Sequence, residues 1–129
     1  MLDWRGNGTV LVVDDEDHVR NVTEMMLTQF GLDVVGASDG LEAVEIVQSQ
    51  GDAIDLVVMD LTMPRMDGET AYDEMRKIRP SIKVVMTSGY NEADTAGDLR
   101  AKDVFGFLQK PFDLEKLIEI VRRGIEGEA

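Results

Sequence analysis

Three aspartates stand where apolar runs stop: Asp14 and Asp15 follow Thr9-Val10-Leu11-Val12-Val13, and Asp60 follows Leu56-Val57-Val58-Met59. A continuous apolar run of this length reads as a strand buried on both faces. Acids at the ends of two such strands would therefore gather along one lip of a parallel sheet. A lip of clustered oxygen donors is a place to hold a hard divalent cation and to carry out phosphoryl chemistry. Two more polar residues end apolar runs in the same way, Ser88 after residues 82–87 and Lys110 after residues 104–108.

The elements that must position these groups follow from the pattern of the chain. Five apolar runs rich in branched residues occupy residues 9–13, 32–37, 55–59, 82–87 and 104–108, each of strand length. Segments of helical spacing separate them, among them Val19, Val22, Met26 and Phe30 near the start and Leu114, Leu117, Ile118, Val121 and Ile125 at the end. Helix starts carry side chains able to accept from free backbone N–H groups: Asp39 with Glu42 three residues on, Asn91 with Asp94 three residues on, and Asp113. The segment from Asn91 to Lys102 has Leu99 as its sole sizeable apolar residue and reads as a lightly anchored helix. Strands alternating with helices imply right-handed crossovers, a mostly parallel sheet covered on both sides, and ligands outside the carboxyl ends of the strands. The ends of strands one, three, four and five then present Asp14, Asp15, Asp60, Ser88 and Lys110 around one depression. Carboxylates crowded there repel one another unless a cation neutralises them, and an all-oxygen donor set favours magnesium.

Composition narrows the function classes. At 129 residues the chain has room for one compact domain. With 26 acidic against 13 basic residues, its formal charge of -13 repels a nucleic-acid backbone. The longest apolar run is far short of a membrane span, so no membrane contact is expected. The absence of cysteine removes thiolate nucleophiles, disulfides and Cys-based zinc sites, and permits a cytoplasmic home.

Four blocks, Val12-Val13-Asp14-Asp15-Glu16, the run Met59-Asp60-Leu61-Thr62-Met63-Pro64-Arg65-Met66-Asp67-Gly68, Thr87-Ser88-Gly89 and Lys110-Pro111-Phe112, stand in an order and spacing that resemble the receiver domain of two-component response regulators. The resemblance covers nearly the whole chain. It implies a flavodoxin-like doubly wound α/β fold with five parallel strands in the order 2-1-3-4-5 and five helices. It places the domain at residues 9–126, with a lead-in at 1–8 and a tail at 127–129. It implies that Asp60 is the nucleophile and phosphoacceptor, taking a phosphoryl group from a phosphohistidine of a histidine kinase or histidine phosphotransfer domain. Asp15, Asp14, Asp60 and the backbone carbonyl of Thr62 would hold Mg2+, for which Mn2+ could substitute. Lys110 would pair with the phosphoryl group and Ser88 would donate its hydroxyl to it. Ser88 and the aromatic Phe107 would reshape the face formed by the fourth helix and strand five. Thr62 and Tyr90 match the variable positions that influence how long the phosphoryl group survives, and the Lys110-Pro111 bond is expected to be cis. Such a chain would catalyse only its own phosphorylation and dephosphorylation. It would be a cytoplasmic domain whose parent could be membrane-anchored, and it could pair with itself on phosphorylation.

Each residue also has a plainer reading. Asp14, Asp15 and Asp17 could cap a helix or solvate a loop, and Asp17 reads as a cap even beside Asp60 and Lys110. Thr87 is a hydroxyl competing with Ser88, and strand alternation must choose between them. Phe105, Phe107 and Phe112 could be packing alone, and the single His18 reads as exposed on the first helix with no role. Among other functions, a haloacid-dehalogenase-like phosphatase would need an acid two positions after Asp60, where Thr62 stands, and a nucleotide-binding enzyme would need a Gly-rich loop the chain lacks. A receiver-like interaction module would have lost one of the acids or the lysine. The remaining choice is between a stand-alone single-domain regulator and the C-terminal receiver of a hybrid sensor histidine kinase. The lead-in Trp4-Arg5-Gly6-Asn7-Gly8-Thr9 and the run Ser88-Gly89-Tyr90 are similar to the latter.

Overall fold

In the computed structural model, which describes residues 4–89 and 104–127, five strands form one parallel sheet in the order β2-β1-β3-β4-β5. The strands are β1 (Thr9–Val13), β2 (Asp33–Ala37), β3 (Leu56–Asp60), β4 (Val84–Ser88) and β5 (Gly106–Gln109). Four helices lie among the described residues: α1 (Asp17–Thr28), α2 (Gly40–Gln50), α3 (Gly68–Ile78) and α4 (Leu114–Glu126). The expected helix starting at Asn91, and Tyr90 before it, lie outside the described residues.

Alternation along the central strands divides the core in two. Leu11, Val13, Val57, Met59, Val84 and Met86 face one side of the sheet, where Ala43, Val44 and Val47 of α2 and Ala71, Tyr72 and Met75 of α3 close over them. Val10, Val12, Leu56, Val58 and Val85 face the other, under Leu27 of α1 and Leu117, Ile118 and Val121 of α4. Covering on both faces is what makes β1, β3 and β4 nearly uniformly apolar. The edge strand β2 is partly exposed and carries Asp33 at its start.

Helix starts follow the expected chemistry, with one exception. Asp39 accepts from the Glu42 N–H at 2.9 Å and Asp113 from the Lys116 N–H at 2.8 Å. Asp67, inside the run that follows Asp60 but not read as a cap, accepts from the Thr70 N–H at 2.9 Å and starts α3. Asp17 is not a cap: Glu16 holds the N-cap position of α1 without a side-chain bond, and Asp17 is the first helical residue. Its carboxylate pairs instead with Arg20 one turn on, at 2.7 Å, and lies at the positive end of the helix dipole. Three strands end one residue past their apolar runs, because backbone pairing continues through polar residues, so Asp60, Ser88 and Gln109 are the last residues of β3, β4 and β5.

Residues 4–8 lie along the opposite end of the sheet from the acids. The Trp4 indole donates to Glu126 at 3.0 Å and packs on the α1/α4 core, while the Gly6 N–H donates to the Phe30 carbonyl at 2.6 Å. The carbonyl of Gly8 accepts from Asp33 at 2.9 Å, feeding directly into β1 and β2.

Candidate functional site

At the carboxyl end of the sheet, Asp14 leaves β1, Asp60 closes β3 and Lys110 leaves β5. Parallel register is the reason they meet: Val13 pairs with Met59, so Asp14 just past β1 stands level with Asp60 at the end of β3, and β5 follows across β4. The Lys110 ammonium donates to Asp14 at 2.8 Å and lies 3.4 Å from Asp60. Asp14, Asp15 and Asp60 each offer a carboxylate oxygen within 4.8 Å of the others. Asp14 and Asp60 are buried, whereas Asp15 is exposed at the mouth.

Asp14 is held on every side. One oxygen takes the Lys110 ammonium and the other accepts the Glu16 N–H at 2.9 Å, turning the chain from β1 into α1. Its N–H donates to the Ala37 carbonyl and its own carbonyl accepts from Arg20 at 2.8 Å. The plainer reading of Asp14 as a loop-turning acid is therefore true, and the same carboxylate also takes the Lys110 ammonium. Arg20 was not singled out from sequence; its spacing one turn beyond Asp17 is the signal that would have found it.

Burial is the strongest single influence on Lys110 and pushes its ammonium down. The hydrogen bond it donates to Asp14 and the charges of Asp60 and Asp14 together outweigh burial, so the group is held above the ordinary lysine range. One lysine faces three carboxylates, and a divalent cation would offset the excess. The donor set is all oxygen, which fits Mg2+ or Mn2+ and does not fit the softer N/S-seeking metals.

The hydroxyls separate by face. Thr87 is the register partner of Asp60 and continues the Val85 side of β4, the side shared with Leu56, Val58 and Leu108. Ser88 continues the Val84 and Met86 side, where Phe107 also packs. Both hydroxyl residues are buried, so burial does not choose between them. Alternation puts Ser88 with Phe107 on the α2/α3 side, and the Ser88 carbonyl accepts the Lys110 N–H at 2.7 Å. Phe105 and Phe112 pack into the α1/α4 core, His18 is exposed, and the Lys110-Pro111 bond is cis as expected.

After Asp60 the chain passes through Leu61-Thr62-Met63-Pro64-Arg65-Met66-Asp67 before entering α3. The Gly68 N–H returns to the Leu61 carbonyl at 2.8 Å, and a side chain at Gly68 would run into the Asp60 carbonyl. Thr62 lies exposed in this loop. Arg65 of the same loop reaches Asp39 at 2.6 Å, a contact between residues 26 apart in sequence that no local pattern announces.

The model of the response regulator receiver domain matches residues 10–122. The sensor kinase CckA of Brucella abortus (strain 2308) is 44% identical over 126 residues, 98% of this chain but 13% of that protein. A response regulator receiver domain protein from Clostridium thermocellum superimposes with a TM-score of 0.89 at 28% identity, covering 93% of this chain and 95% of that one. The crystallised receiver domain of the hybrid histidine kinase CckA does so with a TM-score of 0.76 at 33% identity, covering 92% and 99%. The chain thus spans about an eighth of the curated kinase it matches. On the family match, the shared fold and this relationship, the chain belongs to the response regulator receiver domains of two-component signalling.

Proposed function

We propose that Asp60 is the phosphoacceptor of this receiver domain. The observation that carries the reading is the bridge of one half-buried lysine, Lys110, between Asp14 and Asp60, beside a third carboxylate at the same strand ends. In the reaction, an Asp60 carboxylate oxygen attacks the phosphorus of a phosphohistidine on a histidine kinase or histidine phosphotransfer domain. A P–O bond forms, the P–N bond breaks with its electrons returning to the imidazole, and the product is an acyl phosphate. Asp15, Asp14, Asp60 and the Thr62 carbonyl would hold Mg2+ or Mn2+, which when bound supplies charge neutralisation to the transferring phosphoryl group. Lys110, already 3.4 Å from Asp60, would shift from the carboxylate pair to a phosphoryl oxygen.

Ser88 would then donate to the phosphoryl group from the end of β4. Its position on the face of Phe107 supports a switch in which the two move together and alter the surface of strand five and the segment 91–102, read from the sequence as the fourth helix in chain order. On this reading residues 9–126 form the signalling domain, with 1–8 leading in and 127–129 trailing. The chain modifies only itself, and phosphorylation could bring two copies together. Similarity to CckA supports origin in a cytoplasmic part of a hybrid kinase; no helix among the described residues is long and apolar enough to cross a membrane.

Incubation with a small phosphodonor and Mg2+, followed by intact mass measurement, should add the mass of one phosphoryl group, and chelation of the metal should prevent it. Asp60→Asn, which keeps the shape and removes the nucleophilic charge, should abolish the addition while leaving the circular dichroism spectrum unchanged. Labelling of that variant at full strength would place the acceptor elsewhere, and sustained turnover of phosphate esters would favour a phosphatase.

A further inference from the structure

We infer that Arg65 and Asp39 are positioning residues for the acceptor site: their ion pair holds the loop after β3 in a left-handed turn and thereby sets where the loop's backbone oxygens stand beside the carboxylate cluster. The inference rests on the reading of that cluster as a metal-dependent phosphoacceptor.

The starting observation is a cost. Arg65 has φ of 63°, the one positive value outside glycine among the described residues, and a side chain with a Cβ adopts that region only when its surroundings compel it. Around it the Met66 N–H donates to the Pro64 carbonyl at 2.6 Å, closing a three-residue turn centred on Arg65. What compels the turn lies on another element. The Arg65 Nε donates to Asp39 at 2.6 Å, and Gly40 next to it donates its N–H to the Met66 carbonyl at 3.1 Å. A side chain at Gly40 would collide with that carbonyl, so the approach of the loop to the start of α2 is a backbone contact that glycine alone permits.

Asp39 is equipped for this task. It is only 5% exposed and uses both oxygens, one to cap α2 through the Glu42 N–H and the other for Arg65. The arginine side chain is 60% exposed, so it is not held in place as part of the core. At its other end the loop is tied by the Gly68 N–H to the Leu61 carbonyl. Thr62, whose carbonyl is the proposed fourth metal oxygen, lies between these two anchors. A residue that orients a metal-bearing backbone without touching the metal works as the outer shell of such sites does.

Glycine separates the pair from the turn, because it takes a positive φ at no steric cost. Arg65→Gly removes the steric cost of the turn together with the ion pair that holds it; Asp39→Asn removes the charge and keeps an oxygen to cap α2. Calorimetric titration with MgCl2 should show each variant binding more weakly on the order of tenfold. The double variant should be no weaker than either single one, since both break the same contact. The loss should appear in the Mg2+ needed for half-maximal phosphodonor labelling more than in the rate at saturating Mg2+, and Arg65→Lys should recover part of it. Wild-type Mg2+ affinity in Arg65→Gly, with a wild-type protein that binds Mg2+ and takes the label, would overturn the inference and leave the phosphoacceptor reading standing. A wild-type protein that neither binds Mg2+ nor takes the label would overturn both.

Discussion

At the scale of single residues, the domain economises by giving buried carboxylates two partners each. Asp14 turns the chain and takes Lys110; Asp39 caps a helix and takes Arg65. Such groups tolerate burial because each carboxylate oxygen finds a donor. Asp39 also predicts a pH response. The Arg65 hydrogen bond is its largest influence and holds the carboxyl below its ordinary range, against burial, which pushes it up; the Glu42 N–H adds to the lowering. A folded value below the unfolded one gives stability that is present above the unfolded value, about pH 4, and lost as pH falls through the folded value. The facing groups are Arg65, which stays charged, with Glu42 and Glu45 nearby on α2. The stability gap between wild type and Asp39→Asn, read from urea midpoints, should be constant near neutral pH and close below about pH 4. A gap that widened on acidification would contradict the pairing. Ser88 and Thr87 teach a separate lesson: neighbours on one strand face opposite cores, so two adjacent hydroxyls cannot share a role.

At the scale of elements, the site depends on where strands stop and helices start. The residues from Asp60 to Gly68 leave a strand, hold a loop and enter a helix within one short stretch, and Asp67 closes it by capping α3. Asp67→Ala should cost about 1 kcal/mol of unfolding free energy by loss of the cap. Asp113→Ala, on an equally exposed cap at the start of α4, should cost a similar amount and serves as the reference. Both are measured by urea unfolding. Only the Asp67 substitution should also slow labelling, because only α3 follows the acceptor loop. Equal effects on labelling would separate the cap from the site.

At the scale of the whole molecule, one sheet divides two cores, and the site sits at the carboxyl end of that sheet. Ile54 belongs to the core under α2 and α3, and Ile118 to the core under α1 and α4. Ile54→Val and Ile118→Val should each cost about 0.5–1.5 kcal/mol, and the double variant should cost their sum to within about 0.5 kcal/mol. Trp4, the sole tryptophan, packs on the second core and reports the loss of packing by fluorescence. A double variant well off that sum would mean the sheet transmits strain between its faces. The sequence by itself determined the five strands, the order of the described elements and the meeting of Asp14, Asp15, Asp60 and Lys110 at the strand ends. An apolar run buried on both faces has a local signature, and polar residues at its end are visible wherever they stand. Tertiary structure decided which face Ser88 and Thr87 occupy, that Trp4 and Gly6 dock on the domain, and that Arg65 reaches Asp39 across 26 residues. Those outcomes depend on register and on the meeting of distant backbones, which side-chain type and local spacing do not encode.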